Sequence, residues 1–209
     1  MTPKSMKNRT CVIIASGPSL RQQDVNLIAK HKDQITTVVI NDAYRLAPWA
    51  DVLFSSDAAW ISHHGGNIAH LKFEKITLES EPGSKADRQA RRYGFKAIPF
   101  KWGSGLNLGS NAVHAGHCSG FAAFNHAVNQ GFDPICLIGF DCMAEDNARL
   151  HFFGNHPKPL RNGLPFKKIV AEFEKAATQI EARGEPAVFN FTRKTALTCF
   201  DQMDLEDGF

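Results

Sequence analysis

The 209-residue chain has no Cys-x-x-Cys pair, and its five cysteines, Cys11, Cys118, Cys136, Cys142 and Cys199, are scattered and odd in number. Such spacing argues against a disulfide framework and leaves buried free thiols as the reading, with Cys11 and Cys136 in expected core strands. No apolar stretch approaches the roughly 18 residues of a membrane span, and the polar start Met1–Thr10 has no apolar core of a secretory signal. A cytoplasmic location is therefore expected. Charge of one sign is scarce in excess: the net charge of +3 is too small to imply nucleic-acid binding by itself. Internal repeats and low-complexity tracts are absent. What remains is the composition of one ordinary α/β domain over residues 1–209, small enough that self-association is open.

The most informative stretch is Cys11-Val12-Ile13-Ile14-Ala15-Ser16-Gly17-Pro18-Ser19-Leu20. An apolar run breaks into a loop of small residues and then a helix-compatible segment, the pattern of a buried parallel strand, a tight turn and a helix start. Amide N–H groups at such a turn, with the positive end of the helix dipole, favour an anion. Ser16, Gly17, Pro18 and Ser19 are thus candidates for a nucleotide-phosphate or sugar cradle. The loop matches neither the Gly-x-Gly-x-x-Gly nor the Walker pattern, and a plain strand-to-helix turn is the competing reading.

Strand and helix patterns then alternate. Asp24–Lys32 reads as a helix, Ile35–Ile40 as a β-branched strand ending in Asn41-Asp42, and Asp51–Ser55 as a third strand ending in Ser55-Ser56-Asp57. Ala58–His70 reads as a helix and Lys75–Leu78 as a fourth strand. This order predicts a Rossmann-like, mostly parallel sheet flanked by helices. Ligands of such sheets bind beyond the carboxyl ends of the strands, so Ser16, Asn41, Ser55 and Asp57 are expected to converge.

Residues 79–118 read as an excursion from the sheet. Its basic cluster, Lys85, Arg88, Arg91, Arg92 and Lys96, precedes the glycine-rich Trp102–Gly109. The excursion is either a solvated basic face or a small inserted flap that closes over an anionic substrate. Regularity returns with Ser119-Gly120, a buried helix over Phe121–Gln130 and the strand Ile135–Ile138, closed by Gly139-Phe140-Asp141-Cys142. Phe166–Arg183 reads as an amphipathic helix capped by Gly184, and Ala187–Phe191 as a last strand.

Asp141, at a strand end behind a glycine, is expected either to bind a ligand or to brace the next loop. His151 and His156 lie in an aromatic, glycine-containing loop closed by Pro157, and an imidazole there can take a proton from an acceptor hydroxyl. A metal site built from His151, His156 and Asp141 matches no zinc spacing. His63-His64 and His114-x-x-His117 are vaguer pairs.

Taken together, Ile13–Leu20, Asn41, Ser119-Gly120-Phe121-x-Ala123, Gly131-Phe132, Ile135-x-Leu137-x-Gly139-x-Asp141 and His151-x-x-Gly154-x-His156 resemble the family 42 sialyltransferase-like group. The resemblance spans most of the chain. It implies a glycosyltransferase that works without a metal or other cofactor. The first loop (Ser16, Gly17) and Asn41 would contact a cytidine nucleotide sugar, Ser119 and Gly120 would lie by the donor, and His156, or else His151, would be the general base. The chain departs from that family at Ser16 and near Ser55, where the family has asparagine. It also has Met143 near the first of the family's phosphate-binding tyrosines, and Tyr44 and Tyr93 are its only tyrosines. Sialic acid is therefore not implied as the donor sugar, and Arg149, Lys158, Arg161 or the basic excursion would have to neutralise the leaving phosphate. Similar Gly-Pro-Ser-Leu chains occur among pyrophosphokinase-like and phage-encoded proteins. The first of these gives an alternative in which Asp141 and Asp57 hold magnesium beside a nucleoside triphosphate. The other alternative is a non-catalytic nucleotide-binding module. The expected partners are a nucleotide or nucleotide sugar and an acceptor that the sequence does not name.

Overall fold

Four consecutive apolar residues, Cys11 to Ile14, can be buried only if both faces of their strand are covered, and the computed structural model covers both. It describes residues 10–146, 148–160 and 163–209. Residues 1–9, expected to be a polar start, and Arg161 lie outside the described residues. In chain order the elements are β1 (Cys11–Ile14), α1 (Gln22–Ala29), β2 (Thr36–Ile40), a 3₁₀ turn (Asn41–Arg45), β3 (Val52–Phe54), α2 (Ala58–Ile68) and β4 (Glu74–Leu78). Then come α3 (Lys85–Arg92), β5 (Phe95–Ile98), β6 (Phe100–Lys101), β7 (Val113–His114), α4 (Ser119–Asn129) and β8 (Ile135–Ile138). A 3₁₀ turn (Lys158–Leu160), α5 (Phe166–Arg183), β9 (Val188–Asn190), β10 (Asp201–Gln202) and α6 (Leu205–Gly208) complete the chain.

Eight strands form one parallel sheet in the order β10-β9-β8-β1-β2-β3-β4-β5. The expected α/β, Rossmann-like class is therefore the observed one. Cys11 and Ile13 face a layer built on α4 and α5, with Phe121, Phe124 and Phe173 at its centre. Val12 and Ile14 face the layer of α1 and α2, with Val25, Ile28, Trp60 and Ile68. From β1 the chain adds strands outward to β5 on one side, then returns to lay β8, β9 and β10 on the other. The order reverses between β1 and β8, and the loops leaving those two strands diverge there to open a crevice.

The stretch 79–118 differs from the expected excursion. Its first half stays with the sheet, because α3 buries Ala90 and β5 pairs with β4 along Lys75–Leu78. Lys85, Arg88, Arg91, Arg92 and Lys96 are all exposed, which is the solvated basic face. Only after Ile98 does the chain leave, and it is tied down. Glu172 of α5, 7 % exposed, accepts hydrogen bonds from Ser104 Oγ (2.8 Å) and the Gly105 amide (2.6 Å), and Gln179 Oε1 accepts from the Leu106 amide (2.6 Å). Asn125 and Asn129 of α4 hold Asn107, Ala112 and His114 in the same way. Glu172→Ala strips two donors of their acceptor and should lower stability by about 2 kcal/mol. A urea midpoint unchanged from the parent would show that this anchoring carries no weight.

Candidate functional site

The loops after β1 and β8 interlock at the point where the strand order reverses. The Gly17 amide donates to the Gly139 carbonyl at 2.9 Å, and the Ser19 amide donates to Asp141 Oδ2 at 2.9 Å. A Cβ on Gly17 would stand 1.9 Å from Asp141 Oδ1 and 2.5 Å from the Gly139 carbonyl oxygen, so only glycine fits. Asp141 is 2 % exposed, and burial pushes its carboxyl pKa up, opposed by the Ser19 hydroxyl and amide. Asp141 braces the loop through Oδ2, while its Oδ1, turned toward Gly17, is buried without a hydrogen-bond partner among the described residues.

That bracing changes the expected phosphate cradle. The amides of Gly17, Ser19 and Leu20 are all bonded within the protein, and Pro18 has none. The helix after the loop begins only at Gln22. Asp24 fills its first turn, accepts from the Arg21 amide (3.0 Å) and pairs with Arg193 (2.6 Å). A carboxylate already occupies the place an anion would take. A different helix end faces the crevice: Cys118, Ser119 and Gly120, the cap and first residues of α4, line it. The Phe121 amide already donates to Cys118 Sγ at 3.3 Å, but that cap is a neutral thiol rather than a carboxylate such as Asp24, so the positive end of the α4 dipole still faces the crevice.

The crevice holds a cavity of about 120 Å³ that opens to solvent at its mouth. Ser16, Gly17, Pro18, Asn41, Ser119, Gly120, Asp141 and His151 all border it. Met143 borders it as well, where the resembled family has tyrosine. Asn41 is held at φ 47°, a left-handed conformation costly for a side chain bearing a Cβ, and its buried Oδ1 has no hydrogen-bond partner. Arg149 donates to the Pro18 carbonyl (3.0 Å) and Glu145 (2.8 Å), which sets one guanidinium against the loop; Lys158 is exposed.

Four expected residues are not in that lining. Ser19 contributes its amide to Asp141. Ser55 is fully buried, and its hydroxyl accepts from the Asp57 amide at 3.4 Å. Asp57 caps α2, accepting from the amides of Ala59 (2.8 Å) and Trp60 (3.1 Å). Of the two carboxylates expected to share magnesium, Asp141 lines the crevice and Asp57 does not. His156 stands behind His151, with ring centroids 4.6 Å apart.

The His151 ring is 8 % exposed, lies 5.0 Å from Phe153 in a parallel stack, and has Nδ1 3.1 Å from Ser16 Oγ. Burial, with the neighbouring His156, pushes its pKa down to about 4. His156 Nδ1 is 3.9 Å from Asp42 Oδ2; burial lowers its pKa, while Asp42 and Asp57 oppose the shift. Asp42 is the residue that sequence reasoning missed. It is wholly buried, accepts from Trp60 Nε1 at 2.6 Å, pairs with Arg45 at 2.7 Å, and lies 3.8 Å from His64. A charged residue between the strand end at Ile40-Asn41 and the apolar Ala43-Tyr44 was the available signal. His63 and His64 belong to this cluster, His64 stacking on Trp60 at 4.7 Å. His114 instead packs beneath Gly103 and reaches the Gly105 carbonyl at 3.0 Å. Among the described residues, no group of three or more His, Cys, Asp or Glu side chains is set to hold a metal ion. All five cysteines are free, and burial raises the thiol pKa of each, Cys118 to about 11.

These imidazoles make stability depend on acid. An unfolded His151 binds its proton near 6.5 and the folded one near 4. Between those values the unfolded chain holds more protons, so stability falls as pH drops from 6.5 toward 4. The loss from His151 alone is on the order of 2–3 kcal/mol. His64, His126 and His156, lowered in the same direction by burial, add to it. Urea midpoints at pH 7, 5.5 and 4.5 should decline in that order, and a level series would contradict the buried neutral imidazoles.

The fold and crevice define an α/β chain with an open crevice at the switch point of a parallel sheet. No family model and no curated protein matches it. Among solved structures it is similar to the MAf glycosyltransferase from Magnetospirillum magneticum AMB-1, with a TM-score of 0.62 and 16 % identity. The match covers 97 % of this chain and 35 % of that one, so the chain spans about a third of its neighbour's length. At that identity the likeness establishes a shared glycosyltransferase-like fold. Among the described residues no helix is long and apolar enough to cross a membrane.

Proposed function

We propose that the chain is a nucleotide-sugar-dependent, glycosyltransferase-like transferase that acts in the cytoplasm without a metal. The nucleotide sugar occupies the crevice, its phosphate at the first turn of α4 beside Ser119 and Gly120 and its nucleoside against Ser16 and Asn41. His151 takes the acceptor proton, with His156 and the Asp42 carboxylate behind it. One observation carries the reading: Ser16, Asn41, the Ser119-Gly120 pair and His151, drawn from four separate segments, border one crevice where the strand order reverses. The base passes from His156, the first choice on the motif, to His151 because His151 forms the wall. Its depressed pKa keeps it unprotonated at neutral pH, and an incoming phosphate would raise that pKa and make it a stronger base. Kinship with the family 42 sialyltransferase-like group is supported by the motif order, and the glycosyltransferase-like fold agrees with it.

Calorimetry with cytidine, uridine, guanosine and adenosine mono- and diphosphates tests the proposal. One base should bind in preference, with an affinity that a chelator leaves unchanged. No binding at millimolar nucleotide, or binding abolished by the chelator, would overturn it.

A further inference from the structure

A second hollow adjoins the crevice. It is lined by the α2 side of the sheet edge and by the chain that follows β5, and it holds a cavity of about 360 Å³ open at its mouth. Two contacts join it to the first. Cys118 borders both, and Ser56, in the second, accepts or donates a 2.8 Å hydroxyl hydrogen bond with Ser119, in the first. A group bound in one is therefore separated from a group bound in the other by about one side chain.

Trp102 stands in the wall of this hollow and is 86 % exposed, far more than the other large apolar side chain left open, Met203 at 38 %. An indole left in water gains when another apolar surface covers it. It is also held still. Its ring meets Phe100 edge-on at 5.7 Å, and the next residue, Gly103, lies so close to the His114 ring that a Cβ there would be 2.2 Å away. Beyond it, Ser104 and Gly105 are bound to Glu172. A fixed aromatic face loses little freedom on binding, which favours a weakly apolar ligand.

Around this platform the lining is mostly apolar, with Ile61, Leu78 and Phe100, and Ser56, Glu79, Ser80 and His117 add hydroxyls, a carboxylate and an imidazole to it. A pyranose suits both features, because its C–H face covers an indole while its hydroxyls bond to the rim. Glu79 also disfavours a second anion. We propose that this hollow is the acceptor subsite and that its ligand is an uncharged saccharide stacked on Trp102. The assignment rests on the transferase reading for its role and on the hollow's own geometry for its ligand.

Saturation-transfer NMR and tryptophan fluorescence with lactose, maltose and N,N′-diacetylchitobiose provide the test, on the parent and on Trp102→Ala and Trp102→Phe. Because the indole is exposed, neither substitution endangers the fold. At least one saccharide should bind the parent, Trp102→Ala should weaken it about tenfold, and Trp102→Phe should recover part of the loss. Nucleotide affinity should be the same in all three. The proposal is overturned if none of the three sugars binds, if Trp102→Ala binds as well as the parent, or if only a peptide quenches the indole. Nucleotide binding without sugar binding would sink this subsite alone, whereas sugar binding without nucleotide binding would sink the transferase reading and leave the subsite standing.

Discussion

Gly17→Ala should destabilise the protein by about 3 kcal/mol, the upper range for over-packing a tight interior. The added methyl would lie 1.9 Å from a buried carboxylate oxygen and 2.5 Å from a backbone carbonyl. The carboxylate cannot swing aside without giving up the Ser19 amide, and the carbonyl cannot move without breaking its bond to the Gly17 amide. Relief must therefore part the β1 and β8 loops, which are the two walls of the crevice. Denaturant unfolding should show the loss, and any folded fraction should bind nucleotide poorly. A variant with parental stability would mean that the loops are not interlocked as described. Asp141→Asn is the informative contrast: it keeps an acceptor for Ser19 and removes a buried charge that burial disfavours, so folding should tolerate it.

The second large effect concerns chemistry. His151→Ala should reduce transfer about a thousandfold, the middle of the range for losing a general base, while nucleotide affinity changes little. The imidazole borders the crevice, touches Ser16 and is uncharged at neutral pH, so its loss removes a proton acceptor and no phosphate contact. His156→Ala should cost less and displace the acid limb of the pH–rate profile, since His156 is one of the charges acting on His151. Equal transfer by the His151 variant would remove it from the mechanism. The reverse ranking would return the base to His156.

Much of this architecture was legible because it depends on local pattern. The helix over Phe166–Arg183 ends at Gly184 as expected, since a left-handed cap at φ 81° suits glycine and little else. Strands β1 and β8 announced themselves as unbroken apolar runs, and β2 as a β-branched one. β5 did not, for an edge strand that buries only Phe95 and Ile98 around two exposed residues carries half the usual signal. Nor did α3, whose eight residues bury one alanine.

In the site, the tips of β1, β2 and β8 converge as the topology of parallel sheets leads one to expect, whereas the tip of β3, with Ser55 and Asp57, stays outside the crevice lining. The electrostatics of the site did not follow from topology. Whether the Gly-Pro-Ser loop offers its amides to a ligand depends on Asp141, 122 residues away, and whether α1 can hold an anion depends on Arg193. Asp42 was hidden for the same reason: its partners Trp60 and His64 come from α2 and His156 from the loop after β8, two later segments.

Backbone amide shifts of ¹⁵N-labelled protein, followed as the preferred nucleotide is added, test the central claim most directly. The claim requires the largest changes at Ser16, Gly17, Asn41, Ser119, Gly120 and Asp141, with Gln22 and Gln23 at the start of α1 nearly still. Changes centred on α1, spread over the basic face of α3, or absent at saturating nucleotide would contradict it.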